Sequence, residues 1–306
     1  MSALIIRRGL LGHILVAGFA ATAAAQQGAR LQGFATADAA ADALTDALRR
    51  KDAKAVKAML GENWVDFVLD DKADDGRERL AYLAAWDAKH MVNVANDARA
   101  TVEVGTDGWT LPIPIVKDGA EWRFDLAAGA QEMQARQLGH DELGAIQTLL
   151  AIVDAQYEYA QLDPMKSGWS QYARRLMSSP GLKDGLYWPT APGEPTSPLG
   201  PAVANSQFDG SAPGGHYGYN YRLLYGQGPA AQGGAHDYIV QGRLLGGFGA
   251  IAWPVVWGET GVMTFIVDYR GVVYQKDLGA KTAEIVATIS RFNPEQGWEK
   301  ADTTPP

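Results

Sequence analysis

The sequence predicts an α+β protein made of two successive units, each with helices packed on an antiparallel sheet. Three features carry that prediction. Apolar residues recur at helical spacing in segments up to about residue 89 and at strand spacing from 98 to 125; a second helical stripe opens at 141; and glycine-punctuated alternating segments run from 217 to 276. A chain of 306 residues can hold two domains, and 47% hydrophobic with 20% charged residues is the composition of a folded protein. With 35 acidic against 27 basic side chains the formal charge is −8. Nucleic-acid binding is therefore excluded as a leading function, because affinity for a polyanion comes largely from Lys and Arg neutralising phosphates.

Residues 1–25 have the layout of a secretory signal: Arg7 and Arg8, an apolar stretch from Leu10 to Ala20, and Ala23 and Ala25 before a cut. The apolar run is too short to span a bilayer and His13 interrupts it, so no membrane span is expected after removal. The expected location is periplasmic or secreted. The chain has no cysteine, which excludes disulfides and thiolate metal sites.

The first unit is expected over 33–138. Thr36 is placed to cap an alanine-rich helix over Ala37–Leu48, and a short helix follows Asp52 with Val56, Met59 and Leu60. After Trp64–Val68 and an acidic loop at Asp70–Asp75, Leu80, Leu83 and Ala84 mark a third helix from Arg77 to Lys89. Ala98–Val104, Thr110–Val116 and Glu121–Asp125 read as strands, with Pro112 and Pro114 leaving both missing amides on one side, as an edge strand would.

The second unit is expected over 139–300. Leu143, Ile146, Leu150, Val153 and Tyr157 give a helix from Asp141 to Ala160 one continuous apolar stripe. Asp163–Ser211 is rich in proline and reads as loop, with a short helix at Trp169–Met177. Strands are expected at Tyr217–Tyr225, His236–Leu245, Gly247–Val256, Gly261–Asp268 and Gly271–Lys276, the last two joined by the turn Asp268–Gly271. A helix at Thr282–Arg291 closes the unit.

The first unit's element order and its ending, Val116-Lys-Asp-Gly-Ala-Glu-Trp-Arg-Phe-Asp125, resemble the nuclear-transport-factor-2-like (cystatin-like) fold. The helix Glu142–Ala160 and the segment Gly261-Val-Met-Thr-Phe-Ile-Val-Asp-Tyr-Arg-Gly271 resemble the globular heads of type IV pilins and pseudopilins. Here that helix follows a whole domain, which disfavours a filament subunit. Several segments together resemble the bacterial domain-of-unknown-function family numbered 2950. They include Leu111-Pro-Ile-Pro-Ile-Val-Lys117, Asp184-Gly-Leu-Tyr-Trp-Pro189, Ser197-Pro-Leu-Gly-Pro201 and Val273-Tyr-Gln-Lys-Asp-Leu-Gly279. The resemblance implies an exported two-part protein and assigns no catalytic residue. Where such proteins often carry an acidic glycine-rich loop, this chain has Asp163-Pro-Met-Lys-Ser-Gly168, and no ion site is expected there.

No nucleophile elbow, P-loop, His-Glu-x-x-His or dinucleotide fingerprint is present. The stretch Asp71–Gly76 begins like a calcium loop but offers Ala73 and Tyr82 where oxygen ligands belong, and His90, His140, His216 and His236 show no zinc-ligand spacing. No catalytic residue, cofactor or metal is therefore assigned. Aromatic residues are the better lead. Tyr217, Tyr219 and Tyr221 alternate along a strand, and with Tyr187, Trp188, His216 and Trp253 they form the candidate surface for an envelope protein or a glycan. The expected function is a non-catalytic binding or assembly protein of the cell envelope. The alternative is a small-molecule carrier or enzyme with a first-unit pocket lined by Trp86, His90, Trp109 and Asp125.

Overall fold

A computed structural model describes residues 31–66, 76–96, 98–204 and 215–304. The expected export segment at 1–25 and the acidic loop at 70–75 lie outside the described residues. Helices and antiparallel sheets make up the chain, which is α+β. It divides into two compact units between Met133 and Gln134.

In the first unit α1 spans Ala37–Arg50, with the Thr36 hydroxyl accepting from the Ala39 N–H and Lys51 closing the helix in the left-handed region. Then come α2, Ala53–Leu60, capped by Asp52, a 3-10 turn at Trp64–Asp66, and α3, Arg77–Ala88. The strands are β1 His90–Asn96, β2 Arg99–Val104, β3 Trp109–Thr110, β4 Ile115–Asp118 and β5 Glu121–Phe124. The sheet runs β1-β2-β4-β5, with β3 also on β2. Ala40, Leu44 and Leu48 of α1, Met59 and Leu60 of α2 and Leu83 and Trp86 of α3 bury against Val102, Val104, Ile115 and Phe124 of the sheet.

One strand is added here and one expectation changes. His90–Asn96 is a strand, paired along its length with β2. The expected edge strand Thr110–Val116 is instead broken: Trp109–Thr110 and Ile115–Val116 each pair with β2 and the Leu111 N–H still donates to the Val102 carbonyl, but the stretch 112–114, with Pro112 and Pro114, forms no ladder with it. Prolines have no N–H to donate to β2, so the ladder opens around them, and β4 lies between β2 and β5.

Helix α4 runs from Leu126 to Leu162, so it begins well before Asp141, and the division between the units falls within it. Its start is set by Asp125, whose carboxylate accepts from the Ala128 N–H at 3.0 Å. After it, α5 is a single turn at Pro201–Ala204, followed by β6 Tyr219–Leu224, β7 Gly226–Gln227, β8 His236–Asp237, β9 Ile239–Val240, β10 Arg243–Leu244, β11 Gly249–Pro254, β12 Met263–Asp268, β13 Val273–Asp277, α6 Thr282–Thr288 and β14 Glu299–Lys300. The main sheet is antiparallel throughout, in the order β14-β13-β12-β11-β6. The β12–β13 hairpin turns at Asp268–Gly271, where Gly271 takes φ +75°. Asp268 is fully buried, and its carboxylate is paired with the Arg270 guanidinium and N–H.

This sheet is covered on both faces. On one, Tyr219, Tyr221, Leu223, Ala250, Ala252, Phe265 and Val267 pack under Ile146, Leu149, Ile152 and Val153 of α4. On the other, Leu224, Ile251, Trp253 and Ile266 pack with Val286 of α6 and with Phe292. Every residue of β11 is buried because the strand lies between β12 and β6 and both faces of the sheet are covered. Arg222 ties α6 to the sheet by donating to the carbonyls of Val286 and Ile289.

The packing sets two glycines apart. A Cβ on Gly261 would overlap the hydroxyl of buried Tyr219, which donates to the Met263 carbonyl at 2.9 Å, whereas Gly139 of α4 has open space around it. Gly261→Ala is expected to lower unfolding free energy by about 1–3 kcal/mol through overpacking. Gly139→Ala is expected to raise it by up to about 1 kcal/mol through helix propensity. Urea denaturation of the two variants beside the parent checks both signs.

Candidate functional site

The site with the most complete construction is an open cleft of about 470 Å³ in the second unit, at the C-terminal end of α4. It begins where the helix stops. Asp163 adopts φ 38°, and its carboxylate accepts from the N–H groups of Ser167 and Gly168 and from the Ser167 hydroxyl. Those hydrogen bonds, from the Ser167 and then the Gly168 backbone, hold its pKa below the usual carboxylate value.

The chain then turns back along α4 and is held by Gln156, which is fully buried. Its Oε1 accepts from the Ala173 N–H at 2.8 Å and its Nε2 donates to the Ala173 carbonyl at 2.9 Å. On the neighbouring residue, the Tyr172 N–H donates to the Leu244 carbonyl at 2.9 Å. Leu186 and Tyr187 donate their N–H groups to the carbonyls of Arg175 and Leu176. The backbone partners that a helix at Trp169–Met177 would need are thus taken by tertiary contacts, and that expected helix is replaced by an extended segment.

Side chains finish the walls. The Tyr225 hydroxyl donates to the Arg174 carbonyl at 2.8 Å and that of Tyr159 to the Lys183 carbonyl at 2.7 Å. Tyr172 is fixed edge-on against Phe248, with ring centres 4.7 Å apart. Asp184 accepts from the N–H and hydroxyl of Ser179 at 2.7 and 2.8 Å and lies 3.6 Å from Arg175 Nε. Met165 and Gln171 complete the lining.

The cleft mixes polar and apolar surface and carries charges of both signs. Arg174, Arg175 and the Asp184 carboxylate line it, and the Asp163 carboxylate lies where it begins and acts on Tyr159. The Arg174 guanidinium makes one long hydrogen bond, to the Gly242 carbonyl at 3.3 Å. In the same segment Trp169 is 50% exposed, with the Arg243 guanidinium 5.0 Å from its ring centre. Burial pushes the Tyr159 hydroxyl up to about 12, with Asp184 and Asp163 adding to the shift, and burial raises Tyr172 and Tyr225 as well. All three hydroxyls stay protonated at neutral pH.

The sheet distributes the aromatic residues expected to form a binding surface. Tyr219 and Trp253 are buried on its opposite faces, Tyr219 beneath α4 and Trp253 beside Ile251 and Phe292. Trp188 is buried with the first of these groups, and Lys183 Nζ lies 5.2 Å from its ring centre. These three side chains pack inside the unit. Tyr187 is half-buried and lines a second cleft of about 380 Å³ with Pro189, Thr190, Thr196 and Ser197. Tyr217 and Gly218, both at positive φ, form the tight turn between His216 and Tyr219. The Tyr217 ring is 38% exposed, sits over Gly144 of α4 and meets His216 and His140 edge-on, at 4.4 and 5.6 Å.

In the first unit the four proposed pocket residues have separate tasks. Trp86 stacks on His90 at 4.0 Å, and His90 Nδ1 lies 2.9 Å from the Trp86 carbonyl. Trp109 packs edge-on to Tyr82, and Asp125 caps α4.

Arg174, Arg175, Tyr159, Tyr172 and Tyr225 were missed by the reading of the sequence alone. The available signal was Tyr172-Ala-Arg174-Arg175, two adjacent cations beside an aromatic ring in a proline-rich stretch of an acidic chain. Among the described residues no group of three or more His, Asp or Glu side chains could hold a metal ion, and no helix is long and apolar enough to cross a membrane.

Fold and site together define the class: an α+β protein of two compact units, with an arginine- and tyrosine-lined cleft in the second. The family model described as protein of unknown function (DUF2950) matches residues 31–301, and the chain belongs to that family. No curated protein and no solved structure matches it.

Asp184 gives the site a pH signature. Burial alone would raise its pKa, but the hydrogen bonds from Ser179 and its own N–H, with Arg175, outweigh burial and hold it below 3.8. A depressed carboxylate stabilises its turn fully above its unfolded value and loses that contribution as pH falls through the folded value. The Ser179 amide resonance, followed by NMR from neutral pH downward, is therefore expected to inflect below pH 3.8, and the inflection should vanish in Asp184→Asn.

Proposed function

We propose that the protein is exported to the bacterial cell envelope and acts there as a non-catalytic binding or assembly protein, with the second-unit cleft as its point of contact. The cleft carries this reading. Its aromatic walls, two guanidiniums and open mouth suit recognition of a polar group, and its volume of about 470 Å³ falls among small-ligand sites. Export rests on residues 1–25, read as a cleaved signal, and the two domains are taken as 33–138 and 139–300.

In the same reading the first domain is nuclear-transport-factor-2-like and the second pilin-like. Helices on an antiparallel sheet support the first, and α4 laid across a five-stranded antiparallel sheet supports the second. Tyr187 in the second cleft and Tyr217 with His216 at their turn are further places where an envelope protein or a glycan would touch. Tyr219, Trp188 and Trp253 serve as the packed support beneath.

Met165 lines the cleft and makes no side-chain hydrogen bond there, so it can be replaced by a photoreactive phenylalanine analogue. Irradiation of producing cells is expected to yield an adduct with a glycan strand or an envelope protein, identified by mass. The same label at exposed Ile285 of α6 is the control. Equal background from both positions, or a protein retained in the cytoplasm, would contradict the proposal.

A further inference from the structure

We infer that the cleft recognises an acidic saccharide, a sugar ring bearing a carboxylate or phosphate, with Arg174 and Arg175 holding the oxyanion. The inference rests on the binding role proposed above and names its ligand.

The lining narrows the chemistry stepwise. Two arginines, one aspartate and one glutamine make a costly surface for an apolar ligand, because each polar group would lose water without gaining a partner. Of the two guanidiniums that line the cleft, Arg175 has Asp184 as its partner, whereas Arg174 donates to an uncharged carbonyl and so offers its positive charge to an anion. Arg174 and Arg175 are exposed and adjacent in sequence. Arg174 spends one N–H on a 3.3 Å bond to Gly242, and Arg175 turns Nε toward Asp184 at 3.6 Å. Each keeps donors of its planar fork for carboxylate or phosphate oxygens, which a guanidinium binds in pairs.

The tyrosines point to a sugar attached to that anion. A pyranose ring has an apolar C–H face that lies flat on an aromatic ring and equatorial hydroxyls that seek both donors and acceptors. Tyr172 and Tyr225 supply aromatic surface, and Gln171 and Asp184 supply donor and acceptor groups. The frame is already rigid: the Tyr225 and Tyr159 hydroxyls are tied to backbone carbonyls, and Gln156 fixes Ala173 beside the two arginines. Little ordering is left for the ligand to impose.

Calorimetric titration of the purified chain tests this with five probes: a glucuronate-containing disaccharide, glucose 1-phosphate, the neutral glucose disaccharide, inorganic phosphate and an acidic tripeptide. One or both of the acidic sugars should bind about 10- to 100-fold more tightly than the neutral disaccharide, the effect of a charge-assisted hydrogen bond. Which of them binds identifies the oxyanion as carboxylate or phosphate. Arg174→Ala and Arg175→Ala should each abolish most of that preference, Arg174→Ala with thermal unfolding unchanged, and Arg175→Lys should restore part of it. Equal binding of the neutral sugar, inorganic phosphate matching the acidic sugars, or tighter binding of the tripeptide would each overturn the inference. So would no binding at all; if the Met165 label still forms its adduct, the envelope role stands and only the ligand assignment falls.

Discussion

The architecture of the second unit depends on one clasp, the pair of hydrogen bonds between the Gln156 side chain and the backbone of Ala173. Gln156 is on the buried side of a helix, where a polar amide is tolerated only if fully partnered. Ala173 provides both a donor and an acceptor, so the glutamine pairs with it as one strand pairs with the next. The segment after Asp163 is thereby pinned along α4, Tyr172 reaches Leu244 and Phe248, and Arg174 and Arg175 emerge on one wall of the cleft. Leaving a buried backbone group unpaired costs about 1–3 kcal/mol, so the segment has no cheap alternative position.

The sheet imposes a second constraint. Because α4 covers one face and α6 with Phe292 covers the other, its large aromatic residues serve as packing on both sides. A protein built this way presents its chemistry where the sheet ends and loops begin. The cleft lies there, beyond the end of α4 and beside Tyr225, which follows the last residue of β6.

Much of the fold was legible in the residues. Thr36 and Asp52 mark their helices because short polar side chains satisfy the free N–H groups of a first turn, and the Asp268–Gly271 turn is visible in a glycine that accepts positive φ. The errors trace to long-range partners. Nothing local in Trp169–Met177 reveals that Gln156, Leu244 and Leu186 will take its backbone groups, so helical propensity misleads there. The first turns of α4 precede the apolar stripe that marks the helix from Asp141, and there Gly129 packs tightly on Ile113.

The candidate site was less legible, for a related reason. Alternation along Tyr217, Tyr219 and Tyr221 shows that they share a face, but burial of that face depends on the helix laid over it. Only Tyr217, lifted into the turn, keeps exposed surface. The cleft joins residues from 159 to 225 through contacts that spacing does not encode, so nothing local singles out its arginines.

Amide hydrogen exchange of Gln156→Leu against the parent chain shows whether the Gln156 clasp shapes the cleft. Protection is expected to fall at Ala173 and through the segment 163–187 while amides of the main sheet keep theirs. Unchanged exchange at Ala173 would contradict it, because the wall of the cleft would then be held by something other than this glutamine.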